Sequence, residues 1–273
     1  MKNFEHSSYL LLFEPIFVPK IFQYYYSMVS KSILNNRKLL FVVIPCVLFI
    51  FPHLFLLTGG YFDWIMPNGK ETGFVEYGTA MLFFLGGIYA FFLSAKSPIK
   101  EKLYIRIPVI FFGILAIFVC LEEISFGQHL LFFGTPEWFN QFNTHNETNL
   151  HNLSDNRLSK AMRTAGYILV TIVGIIAPLI VWLKKISFSP ANIFRYFIPE
   201  PLIIVASLFH LFANLPKNLI SLFPNGGVFV SEHNYFNHSG EYEEYALGFW
   251  VLLFVVSMHR SILKVNASTT VSE

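Results

Sequence analysis

Six stretches of this chain are too apolar, and most of them too long, to be sheltered inside a water-soluble domain. They run from Leu39 to Leu57, Phe74 to Leu93, Ile107 to about Phe133, Ala165 to Leu183, Pro201 toward Leu215, and Tyr245 to Met258. A bilayer core needs about 20 mostly apolar residues per helix, and runs of this kind leave few other folds open. Composition agrees. Of 273 residues, 54% are hydrophobic and only 13% charged, with a mean hydropathy of +0.53. A soluble domain carries about 25% charged residues. The 32 Phe exceed what a soluble core of this length could bury. The expected fold is therefore all-α: a polytopic transmembrane helical bundle of about six spans.

The positive charges orient the bundle, because Lys and Arg in short loops are retained in the cytoplasm. Lys2, Lys20, Lys31, Arg37 and Lys38 precede the first span, and Lys96, Lys100, Lys102 and Arg106 join the second to the third. Lys184, Lys185 and Arg195 join the fourth to the fifth, and Arg260 and Lys264 follow the sixth. The other side holds only Lys70, Arg157, Lys160, Arg163 and Lys217 of the 19 Lys and Arg. Both termini are thus predicted in the cytoplasm. Residues 1–37 form a cytoplasmic or interfacial segment, 38–259 the membrane domain and 260–273 a tail. The expected location is the bacterial cytoplasmic (inner) membrane, with membrane lipids as partners. A formal charge of +2 gives no footprint for nucleic acid. Cys46 and Cys120 fall inside apolar runs without metal-ligand or disulfide spacing, so both read as buried filler.

With that orientation, the unusual polar residues gather at the outer side. Three carboxylates, Glu76, Glu122 and Glu123, lie inside apolar runs. A charge at a helix centre costs about 2.5–3.5 kcal/mol on insertion scales, so such groups face the bundle interior or a partner. In one continuous third helix, Glu122, Ser125 and His129 would share a face. The following loop opens with Thr135-Pro136-Glu137, a helix start with Thr135 as cap. It continues through Asn149-Leu150-His151-Asn152. Glu243 and Glu244 enter the sixth helix at its outer end, where negative charge suits the helix dipole.

The pieces Gly73-x-x-Glu76-Tyr77, Glu122-Glu123-Ile-Ser-x-Gly127-Gln128, Thr135-Pro-Glu137 and Asn149-Leu-His151-Asn152 resemble a family of uncharacterised bacterial polytopic membrane proteins. That resemblance covers roughly residues 60 to 160 and implies a membrane location. A weaker one, to membrane-embedded ceramidase-type hydrolases, implies helix-borne His, Asp, Glu and Ser around a metal. Those have seven helices and a His-x-x-x-His pair near the C-terminus, where this chain has six apolar runs and no such pair.

Two functions follow as expectations. The first is an enzyme, a hydrolase or transferase acting on a lipid or lipid-linked substrate at the outer leaflet. Glu122 or Glu123 would be its general base, and Gln128 and Asn152 hydrogen-bond donors to an oxyanion. A divalent metal such as zinc would be held by His129, His151 and one of His210, His233 or His238. Glu76 and Glu244 would converge with them on one outward-facing cavity. The second is a proton- or cation-coupled transporter using the same buried carboxylates. A non-catalytic membrane scaffold is the third possibility.

Overall fold

A computed structural model describes residues 36–54, 74–141, 148, 150, 157–189, 191–224, 226–227 and 239–270. Among these every regular element is helical. Helix α1 is Ile44–Leu54, entered through the π-helical turn Leu39–Val43. Helices α2 and α3 are Phe74–Ser94 and Leu103–Glu123. Helix α4 is a continuous rod of α-helix Arg157–Leu169, π-helix Val170–Ile176 and α-helix Ala177–Leu183. Segment α5, Phe194–Ser221, is built of shorter pieces that include Ile204–Phe212 and Leu215–Ser221. Helix α6 is Ser239–Thr270.

Five of these segments are long and apolar enough to cross a membrane, and Leu39–Ile50 is a shorter apolar helix. Met81, Ile107, Phe111, Ile172 and Trp182 are exposed large apolar side chains on α2, α3 and α4. A surface like this is stable against lipid rather than water. The chain is an integral, multi-pass membrane protein in contact with membrane lipid.

Helix α6 is the hub. It packs on α2 and α5; α2 packs on α3, and α5 on α1 and α4. Burial follows this order, at 61% of the α6 crossing segment against 17% for α4. Association inside lipid relies on close packing, which small residues permit. At the α2–α3 crossing a Cβ on Gly87 would lie 3.0 Å from the Gly113 carbonyl, and one on Gly113 would lie 3.2 Å from the Gly87 carbonyl. Between α4, α5 and α6, a Cβ on Gly174 would reach Ser207 and come 2.7 Å from Trp250 Nε1. That absence of a side chain lets the buried Trp250 indole donate to Ser207 Oγ at 2.9 Å.

Two expected spans differ from the helices found in ways that bear on the polar residues, and the sixth is longer than expected, at Ser239–Thr270. The third does not run on to Phe133: α3 ends at Glu123, and Ser125, Phe126 and Gly127 follow with φ of 47°, 53° and 82°. Three left-handed residues cannot continue a right-handed helix. Glu122, Ser125 and His129 therefore do not share one helix face, and Gln128–Leu131 is a separate short helix. The fourth span begins earlier than Ala165, at Arg157, and carries Arg163 with it. An arginine is tolerated there because it has an acidic partner, Glu244.

Candidate functional site

One cavity of about 220 Å³ lies between α2, α3, α4, α5 and α6. Its walls repeat a single pattern. On α3, Phe112, Leu115, Ala116 and Val119 lead to Glu122 and Glu123. On α6, Val251 and Leu247 lead to Glu244 and Glu243, and on α4, Leu169 and Gly166 lead to Arg163 and Met162. At 1.5 Å per residue, Phe112 to Glu122 spans roughly 15 Å. The cavity is thus apolar along most of its length and acidic at one end, although α3 runs toward that end and α4 and α6 run away from it.

The acidic end is held by specific bonds. Glu122, 1% exposed, accepts a hydrogen bond from the Leu150 amide at 2.7 Å, so the loop after α3 folds back against the helix terminus. The Thr148 amide donates to Gln128 Oε1 at 2.7 Å, and Gln128 Nε2 donates to Thr135 Oγ1 at 2.9 Å. These contacts pin a turn in which Ser125 and Phe126 each carry roughly 1–3 kcal/mol of backbone strain. The Thr135 hydroxyl is used here rather than as a helix cap; the short helix Glu137–Asn140 has Pro136 at its cap position, one residue later than expected. Leu131, Phe132 and Trp138 beside it are exposed, as suits residues at a membrane–water boundary.

Across the cavity, Arg163 Nη2 donates to Glu244 Oε1 at 3.1 Å. Its guanidinium lies over Gly240, where a Cβ would come within 2.7 Å. Glu243 is 2% exposed, and Asn214 donates to its carboxylate. Tyr167 stands beside both Glu243 and Asn214. His210, 1% exposed, donates from Nδ1 to the Glu243 backbone carbonyl at 3.0 Å. That carbonyl can only accept, so Nδ1 carries the proton and, in the neutral ring, Nε2 keeps its lone pair. Nε2 has no hydrogen-bond partner among the described residues, and the side chain lines the cavity.

Of the expected site residues, the cavity therefore brings together Glu122, Glu123, Glu244 and His210. Glu76 stands half-buried in the first turn of α2 and is not on the cavity wall. Gln128 ties two loop segments together behind Glu122 and is not on the wall either. His151, Asn152, His233 and His238, and the side chain of His129, lie outside the described residues. Among the described residues no three of His, Cys, Asp and Glu are grouped to hold a metal, so His210 is the only expected zinc ligand with a described position on this cavity.

Arg163, Tyr167, Asn214 and Glu243 join the site without having been expected there as working residues. A signal for Arg163 existed: at 3.6 residues per turn it stands on the same stripe of α4 as Tyr167 and Gly166, within one turn of the apolar run. Comparison with known proteins adds no relative, since no protein-family model, curated protein or solved structure matches the chain.

Proposed function

We infer that the protein is a membrane-embedded enzyme, a hydrolase or transferase, that acts on a lipid or lipid-linked substrate. The observation that carries this reading is the graded cavity, roughly 15 Å of apolar wall along α3 leading to Glu122, Glu123, Arg163, His210, Glu243 and Glu244. An amphiphile matches that gradient, with its chain along the apolar wall and its polar group among the acid–base residues. Arg163 and Glu244 are partly exposed, at 41% and 29%, which leaves the polar end accessible.

In this reading Glu123 is the general base. It takes the proton of an attacking hydroxyl or water as that oxygen bonds to the substrate's acyl or phosphoryl centre, and a protonated neighbour returns a proton to the leaving oxygen. Arg163 offsets negative charge as it develops. The polar end belongs to the outer half of a bacterial cytoplasmic membrane, with both chain termini cytoplasmic, on the strength of the Lys and Arg distribution. If a zinc ion takes part, His210 is its described ligand, and metal content of the purified protein should then fall in His210→Ala and in His151→Ala.

The test is turnover of a bacterial lipid extract by protein reconstituted in vesicles, followed by chromatography of the products. Wild type is expected to convert one lipid class, and Glu123→Gln to do so about 10²–10⁴-fold more slowly while remaining folded in the membrane. Saturable lipid binding with no conversion, equal in both proteins, would contradict the enzyme and leave a carrier or scaffold.

A further inference from the structure

At the polar end of the cavity hydrogen-bond acceptors outnumber the donors, which come from Arg163. Glu122, Glu123, Glu243 and Glu244 present carboxyl oxygens from α3 and α6. The bond from His210 Nδ1 to the Glu243 carbonyl turns Nε2, buried and without a partner among the described residues, into one more acceptor. The cation on the wall, Arg163, already donates to Glu244. A buried acceptor left unbonded costs roughly 1–3 kcal/mol, and the neighbouring Gly166 places no side chain beside this one. A Cβ on Gly166 would stand 3.9 Å from Nε2 and 3.4 Å from Leu247, in ordinary contact, whereas a larger side chain would fill the gap.

Resting on the lipid-site reading above, we propose that the group bound at this end is a hydrogen-bond donor carrying positive charge, so that the ligand is an amine-bearing amphiphile. Its ammonium donates to His210 Nε2 and to the carboxylates, and its chain lies along Val119, Leu247 and Val251. A primary ammonium offers three donors and no acceptor, the complement of this lining. A fatty-acid carboxylate offers only acceptors, and the single cation on the wall, Arg163, is already engaged with Glu244.

The experiment uses the full chain in bilayer nanodiscs with two photoreactive probes of equal chain length, a diazirine-bearing long-chain amine and the corresponding fatty acid. Labelled peptides are mapped by mass spectrometry, with unlabelled dodecylamine or dodecanoate as competitor. The amine is expected to label α3, α4 and α6 around Val119, Met162 and Leu247, and dodecylamine but not dodecanoate to suppress that labelling. His210→Ala is expected to raise the competing dodecylamine concentration about tenfold, the scale of a lost hydrogen bond to a charged group. Gly166→Val, which keeps His210, is expected to remove the labelling at an unchanged unfolding temperature. Equal labelling by both probes, or preference for the acid, would overturn the amine assignment and leave the lipid site standing. Labelling of the lipid-facing surface alone, with none in the cavity, would overturn both.

Discussion

The two ends of the bundle treat buried carboxylates in opposite ways. At the end away from the cavity, Glu200 is 6% exposed and accepts from three cations: Arg37 Nε at 2.9 Å, Arg260 Nε at 3.2 Å and Lys264 Nζ at 2.7 Å. Its backbone amide donates to Ser257 Oγ at 2.7 Å. Those residues come from the start of α1, the first turns of α5 and the last turns of α6, so one carboxylate staples three segments. At the cavity end, four carboxyl groups share a wall with one arginine and with a histidine nitrogen that has no partner among the described residues. The first cluster is saturated and closed by protein. The second is arranged around open space. A buried charge that is fully paired within the chain holds the fold, whereas polar atoms turned toward a cavity suit the ligand proposed above.

Substitutions can break that contrast. The largest effect on stability is expected from Glu200→Ala, because removing one partner strands the 12%-exposed Arg260 beside a vacated site. Losses of about 3–5 kcal/mol are usual for such changes. The unfolding temperature in detergent should fall well below that of any cavity variant. Equal stability of Glu200→Ala and wild type would remove the structural role given to this cluster.

Next in size is Gly174→Val, which forces a side chain against Ser207 and Trp250 in the packed core and should cost about 1–3 kcal/mol. Trp250→Phe removes the bond to Ser207 and part of a buried ring, and about 1–3 kcal/mol is expected. His210→Ala belongs at the same modest level for stability, with a far larger loss of ligand binding. The smallest change is Arg37→Ala, at or below about 1 kcal/mol, since that side chain is 45% exposed and two other cations remain on Glu200. Thermal unfolding of the five variants side by side gives the ranking. A cavity variant as damaging to the fold as Glu200→Ala would erase the distinction between the two ends.

Much of the architecture was legible because lipid-facing helices announce themselves by length and apolarity. The second span, expected over Phe74 to Leu93, is the helix Phe74–Ser94. Where polar or special residues interrupt the apolar run, reading by periodicity failed. The stretch from Ser125 to Gln128 looks helical by spacing, yet the chain turns left-handed there, and Gly127 was the stop signal to weigh. The charge-free fourth span missed Arg163 because the helix extends toward residues read as loop; its position makes sense only once Glu244 on α6 stands opposite. Glu122, Glu123, Glu244 and His210 could be singled out because an ionisable group in an apolar run is conspicuous by itself. Tyr167, Asn214 and the Glu200 cluster could not, because their significance lies in partners 29 to 163 residues away in sequence.

The most direct test of the account is whether one end is open and the other sealed. With Cys46 and Cys120 replaced by serine, a single cysteine is introduced at Met162 on the cavity wall or at Ser257 beside Glu200. Intact cells are treated with a membrane-impermeant thiol reagent from outside, and inverted membrane vesicles with the same reagent. Met162→Cys should react in intact cells and be protected by the cavity's ligand, whereas Ser257→Cys should stay unreactive in both preparations. Rapid labelling of Ser257→Cys, or a Met162→Cys that reacts with neither, would contradict an accessible working cavity at one end and a closed structural cluster at the other.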